Sequence, residues 1–305
     1  MATMKNSSTG KSRSPGLSGV LFCLTAFLLL GLHAGGALPA CAGQAPPQPE
    51  KSVDSSLLGK YADIENLLEA ARQNDPEAQY KLALCYGKGI GTAPDYQEAV
   101  KWALKAAELS YAPAQVMVGD CYLKGKNVPF DPKQAVDWYG KAANQGNAWG
   151  QFNLGLCYEN GEGVEQNMSK AADYYRLAAQ QGLAESQYNL CLLYSSGKGV
   201  EENISEAFKW LKKAAKGGLV KAQFLLGNRY WTGTGTPVNK KKAYKWLKLA
   251  ADRGHANAQY NLGLYYHEKG NSSEASHWLI EAALQGHKGA NEMLMELGRI
   301  NKNTL

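Results

Sequence analysis

The sequence predicts an all-α fold: a right-handed solenoid of about six helix-turn-helix repeats of 36 residues, with terminal capping helices. Three periodic features predict it. Gln79, Gln115, Gln151, Gln187, Gln223 and Gln259 stand 36 residues apart, and Tyr86, Tyr122, Tyr158, Tyr194, Tyr230 and Tyr266 each follow by seven. Asp95, Asp131, Asn167, Asn203 and Asn239 keep the same interval, and Asn271 follows after 32. A single unit of this length cannot bury its own apolar face, so neighbouring units must stack.

The first element is no part of that stack. Lys5, Lys11 and Arg13 are the only charges before Cys41, an apolar stretch runs from Leu17 to Leu32, and small residues follow. A basic head, a short apolar run and a small-residue ending read as a secretory signal peptide over residues 1–40. The run is shorter than the roughly 20 apolar residues of a membrane span. Leu38-Pro39-Ala40-Cys41 resembles a bacterial lipobox, with Pro39 a departure from it. That resemblance makes Cys41 the lipidated first residue of an exported, membrane-anchored lipoprotein. Ordinary cleavage after Ala40 or Ala42, giving a periplasmic or secreted protein, and an uncleaved anchor are the alternatives. Residues 41–57, with Pro46, Pro47 and Pro49, read as an extended linker.

Residues 58–76 are expected to form an N-terminal capping helix, the repeats to span 77–291, and residues 292–305 to form a C-terminal cap and tail. In each repeat, helix A runs from near the marker Gln to near the marker Tyr. One of its positions stays small: Ala83, Gly119, Gly155, Cys191, Gly227, Gly263. Gly inside a helix costs about 1 kcal/mol relative to Ala, so its repetition requires helix B to approach closely there. The turns carry Gly pairs such as Gly161 and Gly163. They lack the Lys-Ser/Thr of a phosphate loop, and read as helix ends.

Helix B starts at the Asp/Asn series, whose side chains suit N-caps. Glu98, Gln134, Glu206 and Glu274 lie three residues on and are placed to complete capping boxes. The caps also account for Asn167, Asn203 and Asn271, which fit a glycosylation pattern. Trp102, Trp138, Tyr174, Trp210, Trp246 and Trp278 are expected to be buried, ahead of Ala-Ala pairs and a terminal Gly. The sixth unit loses four residues in its turn, which should tighten the last hairpin.

The pattern Ala-Gln-aromatic-x-Leu-Gly-x-x-Tyr-x-x-Gly-x-Gly-Val, then Ala-x-x-Trp-x-x-Ala-Ala-x-x-Gly, resembles the Sel-one-like repeat family of tetratricopeptide-like solenoids. The resemblance covers residues 77–291 and implies a non-catalytic protein-binding scaffold or adaptor. A cysteine-rich branch of that family staples helix A to helix B with two Cys per unit. Here Cys85, Cys121 and Cys157 supply one per unit. Equivalent positions in a stack should lie about 10 Å apart, beyond the roughly 7 Å limit for a disulfide, so these read as small buried residues. Some relatives carry a β-lactamase label, but no Ser-x-x-Lys with its partner motifs occurs here. His255, His267, His277 and His287 show no metal-ligand spacing and read as surface or loop residues. No catalytic residue, metal or cofactor is assigned.

Charge breaks the regularity. Removing residues 1–40 takes away three positive charges and lowers the net charge from +6 to +3. Between Ala207 and Ala251 there is no acid, while 11 basic residues contribute +11, leaving −8 elsewhere. Lys209, Lys212, Lys213, Lys216, Lys240, Lys241, Lys242, Lys245 and Lys248 form a candidate patch for anionic lipid, cell-wall polymer or an acidic protein. Nucleic acid is not an expected partner of an exported protein. The candidate protein-binding residues are the helix-A positions Tyr80, Val116, Asn153, Asn189, Leu225 and Asn261. The expected function is a monomeric binding scaffold in the bacterial envelope. An envelope hydrolase, and an envelope-tethering or immunity protein, are the competing readings.

Overall fold

The computed structural model describes residue 61 and residues 63–303, so the signal peptide, Cys41 and the linker lie outside the described residues. Among these there are 14 helices and no strand. Helix α1 (Ile64–Arg72) precedes six hairpins. These are α2/α3 (Pro76–Lys88, Tyr96–Glu108), α4/α5 (Ala112–Lys124, Pro132–Asn144) and α6/α7 (Ala148–Asn160, Met168–Gln180). Then come α8/α9 (Ala184–Ser196, Ile204–Lys216), α10/α11 (Val220–Thr232, Lys240–Asp252) and α12/α13 (Ala256–Glu268, Ser272–Leu284), before α14 (Lys288–Asn303). Each helix packs chiefly on its two neighbours in sequence, which makes the chain an all-α solenoid.

Both caps differ in extent from the expected spans. Asp63 starts α1 by accepting the Asn66 N–H at 2.8 Å, and Asn74 ends the segment in a left-handed conformation at φ 64°. Pro76 therefore opens α2 rather than closing the cap. At the other end, His287 Nδ1 accepts the Ala290 N–H at 3.1 Å, so residues 288–291 join the final helix and not the sixth repeat.

The small position of helix A receives the largest core side chain of helix B. A Cβ added to Gly119 would lie 2.5 Å from the Tyr139 ring, and one on Gly155 would lie 2.8 Å from that of Tyr175. Leu247 fills the corresponding space beside Gly227, and Leu279 that beside Gly263. The expected burial of the Trp series is corrected here: Trp102, Trp138, Tyr174, Trp210 and Trp246 are half-buried, and only Trp278 falls inside. The residue after each of them points inward instead. Lysines cover three of the indoles, Lys105 over Trp102 at 4.0 Å, Lys141 over Trp138 at 3.7 Å and Lys213 over Trp210 at 3.9 Å.

The marker Gln staples one hairpin to the next. Gln115 Nε2 donates to the Ala107 carbonyl of the preceding helix B at 3.1 Å, and the other five markers make the same bond to Ala71, Ala143, Ala179, Ala215 and Ala251. Its oxygen accepts from Gln145, at the end of helix B in its own hairpin, at 2.7 Å. Gln181 and Gln285 repeat this on Gln151 and Gln259. The nitrogens of all six are bonded, whereas the buried oxygens of Gln79 and Gln223 have no partner among the described residues.

Every helix B is capped by its Asp or Asn, including Asn167, Asn203 and Asn271. The capping boxes do not form. The cap's own N–H is already taken by the marker Tyr carbonyl, as in Asp95 to Tyr86 at 2.9 Å and Asn271 to Tyr266 at 3.0 Å. Glu98 and Glu206 turn to Lys101 and Lys209, and Glu274 accepts from Trp278 Nε1.

Candidate functional site

With the frame residues spent on packing, the side chains free to meet a partner on helix A lie between them. Asn153, Asn189, Leu225 and Asn261 occupy one position, two after the marker Gln, and are half-buried. Two of them link successive A helices. Asn153 Nδ2 donates to Asp120 Oδ1 at 3.3 Å, and Asn261 Nδ2 donates to Asn228 Oδ1 at 3.2 Å. Tyr80 and Val116 do not belong to this row. They follow the marker Gln by one, where the other units place Phe152, Tyr188, Phe224 and Tyr260. There Tyr80 packs on Tyr111 with ring centroids 5.5 Å apart, and Val116 packs against the Tyr139 cluster. One residue turns a helix by about 100°, which moves these two from the presented face to the joint between hairpins.

Asp120 and Glu159 lie among the linking side chains and draw helix B into them. The Tyr139 hydroxyl donates to Asp120 Oδ1 at 2.6 Å, and the Tyr175 hydroxyl donates to Glu159. Burial, and then the adjacent carboxylate, push both phenols well above their ordinary range, so each remains a donor at any physiological pH. Further along, the position of Cys85, Cys121 and Cys157 is filled by Arg229, which is only 7% exposed. Its Nη2 donates to Ser195 Oγ at 2.6 Å, its Nη1 has no partner, and it makes no ion pair among the described residues. That this cation points inward is not evident from spacing alone; its occupation of a position that is Cys, Leu or Tyr in the other units is the available sign.

The lysine patch lies on α9 and α11. Lys209 is neutralised by Glu206 at 2.5 Å and Lys248 by Asp252 at 2.8 Å, two acids that flank the acid-free stretch. Lys213 shares its indole-covering role with Lys105 and Lys141. Lys212, Lys216, Lys240, Lys241, Lys242 and Lys245 are exposed and form no ion pair among the described residues.

Groups capable of chemistry are engaged structurally. The four described cysteines are free thiols, and burial pushes Cys157 up to about 12, far from a reactive thiolate. His255 Nδ1 accepts the Ala258 N–H at 3.3 Å and its ring stacks on Phe224 at 4.4 Å. His287 does the same with Ala290 and Tyr260. Both therefore cap helices, α12 and α14, rather than lying free at the surface or in a loop. Burial pulls both below the usual imidazole range. Among the described residues no group of His, Cys, Asp and Glu is placed to hold a metal, and no helix is long and apolar enough to cross a membrane.

Comparison with known proteins agrees with this architecture. The Sel1 repeat matches six times, at residues 76–111, 112–147, 150–183, 184–219, 220–255 and 256–287. A Sel1 repeat protein from Oxalobacter formigenes is 34% identical with a TM-score of 0.70, over 76% of this chain and 68% of that one. The protective antigen c5321 of uropathogenic Escherichia coli, which displays an SLR fold, is 33% identical with a TM-score of 0.70 over 77% of this chain. The chain spans about half of the antigen's length, 51%. No curated protein matches. Sel1 repeat proteins typically mediate protein–protein interaction and are typically non-catalytic. Six matched units over a stack of six hairpins place the chain in a family: it belongs to the Sel1 repeat proteins.

Proposed function

We propose that this chain is a non-catalytic protein-binding scaffold of the bacterial cell envelope, held to a membrane by lipid on Cys41. One observation carries the binding role: the recurring residues are consumed by packing, capping and stapling, while helix A keeps a row of half-buried polar and apolar side chains between them. A rigid repeated backbone with a variable row suits recognition of another protein. The lipobox-like Leu38-Pro39-Ala40-Cys41 supports the envelope location. The unpaired lysines of α9 and α11 supply an electrostatic footing for an anionic partner or surface, whose binding should weaken with salt.

The test expresses native chain and Cys41→Ser in the source bacterium, with fatty-acid labelling and a photo-crosslinking residue at Asn189 or Leu225. The expected result is a labelled, membrane-associated native chain, an unlabelled variant, and discrete protein crosslinks from both positions. Crosslinks no stronger than those from a helix-B control at Lys133 sink the scaffold; an unlabelled native chain in the cytoplasm sinks the envelope location.

A further inference from the structure

In the interior repeats each Gly-rich turn lies on the start of the preceding helix B. Gly163 is so close to Pro132 that an added Cβ would come within 2.2 Å of its carbonyl oxygen, and Gly199 stands in the same relation to Met168 at 2.3 Å. Gly235 covers Ile204 and Phe208, with an added Cβ 2.9 and 3.5 Å from them. The next pair in that frame is Lys240 and Tyr244. The sixth turn, shorter by four residues, runs from Glu268 through Lys269 and Gly270 to Asn271 and supplies no such cover.

What remains is a cleft of about 360 Å³ lined by both residues. Its floor is aromatic: Trp231 meets Tyr265 edge-on at 6.2 Å, and Tyr244 lies 5.1 Å from Tyr265. Lys240 lies over the Trp231 ring at 5.3 Å and Lys269 over the Tyr265 ring at 6.0 Å, with Lys241 and a single acid, Glu268, beside them. None of the four forms an ion pair among the described residues. The lysines also break a local rule. Lys240, Lys241 and Lys242 crowd the first turn of α11, which holds no acidic residue, where the helix dipole disfavours positive charge. Residues that oppose their own helix are expected where a site is built.

We propose that this cleft binds an acidic peptide segment of a protein partner, which takes the place of the missing turn. Its carboxylates meet Lys241 and draw Lys240 and Lys269 off the Trp231 and Tyr265 rings, which then take an apolar side chain of the segment together with Tyr244. This rests on the scaffold reading and names a surface apart from the helix-A row. The chain's own turns show the fit: Gly161-Glu162-Gly163-Val164-Glu165-Gln166 has the length, the Val and the acids required.

The probe is that hexapeptide, acetylated and amidated, titrated calorimetrically into the full chain at low and high salt. A version with both Glu changed to Lys is the control. Binding of the acidic peptide alone is expected, about tenfold weaker in a Lys240→Glu, Lys241→Glu double variant, whose charge-assisted contacts are lost. Lys133→Glu with Lys198→Glu, two exposed lysines outside the α9 and α11 patch, should leave it unchanged. A variant in which Gly-Glu-Gly-Val is inserted after Glu268, restoring the 36-residue spacing, should abolish it while remaining folded by circular dichroism. No binding, or binding that survives the inserted turn, overturns the proposal. A dimer dissolved by the insertion, or acidic vesicles bound in place of peptide, overturns it in favour of a second copy or a lipid surface. Crosslinks from Asn189 and Leu225 are unaffected by any of these outcomes, so the scaffold reading stands or falls separately.

Discussion

Units two and three share their frame with units four and five but fill it differently. In the former pair, helix B drives Tyr139 and Tyr175 against Gly119 and Gly155, and each phenol donates to a helix-A carboxylate. In the latter pair, Leu211 and Leu247 take those places, and a buried Arg229 without an acid stands where Cys121 and Cys157 stood. The frame thus sets where the inward side chain of helix B goes, and leaves its size and polarity open. Charge follows the same division: Asp120 and Glu159 hold phenols in units two and three, while in units four and five the exposed Lys212, Lys216, Lys240, Lys241, Lys242 and Lys245 form no ion pair among the described residues.

Truncation of the core knobs should break the comparison most severely. Tyr175→Ala is expected to lower stability by about 3–5 kcal/mol and Leu211→Ala by about 2–5, read from urea unfolding. Gly155→Leu alone should be destabilising, and combined with Tyr175→Ala should recover part of the loss, because the two residues share one space. A turn glycine comes next. Gly199→Ala forces a side chain into the Met168 carbonyl at φ 69° and should cost about 1–3 kcal/mol, whereas Gly182→Ala meets nothing within 4 Å and bears only the backbone strain.

Smaller effects sharpen the contrast in polarity. Tyr139→Phe should cost about 1–2 kcal/mol by removing the hydroxyl that Asp120 accepts. Arg229→Leu should move the other way, raising stability by about 1 kcal/mol, since it replaces a buried cation lacking a counter-charge with an apolar side chain as at Leu193. Equal losses in the two variants would erase the distinction between the two pairs of units.

The smallest effect is set by pH. His255 and His287 cap helices through an unprotonated Nδ1, and burial lowers both from the usual 6.5. The unfolded chain therefore takes up protons first. Their contribution is complete above about pH 6.5 and is lost as pH falls below it. Unfolding measured at pH 7.5 and 5.5 should show a larger decrease in the native chain than in a His255→Asn, His287→Asn variant, whose caps do not titrate.

The positions of the marker Gln and of the helix-B caps were legible because they recur on one frame with Gln, or with Asp and Asn, but the staple that the Gln makes was not, since it depends on which carbonyl the neighbouring helix presents. The inward knob was not legible either. Tyr139, Tyr175, Leu211 and Leu247 vary in chemistry, and the more uniform Trp beside them drew the assignment, although an amphipathic indole sits well at a boundary under a lysine stem. The capping boxes failed because sequence spacing counts donors and acceptors without knowing that Tyr86 and its equivalents already hold the cap N–H. Tyr80 and Val116 stand one residue out of the row, a slip that counting from the marker Gln exposes and that side-chain direction makes consequential. The shortened turn was visible as a four-residue gap, but its effect depends on what the other turns cover.

The glutamine staples carry a last consequence. Gln115 holds the preceding helix B through its nitrogen, while its oxygen is held by Gln145 from the helix B that follows it. Three helices are tied through one side chain, so the natural joint of this chain falls between whole units. Lengthening or shortening by 36 residues re-forms every tie, whereas a cut inside a hairpin leaves a buried amide open on each side. Such a molecule is lengthened or shortened most easily by whole units, and the sixth hairpin keeps its own tie across the shortened turn, from Gln285 to Gln259.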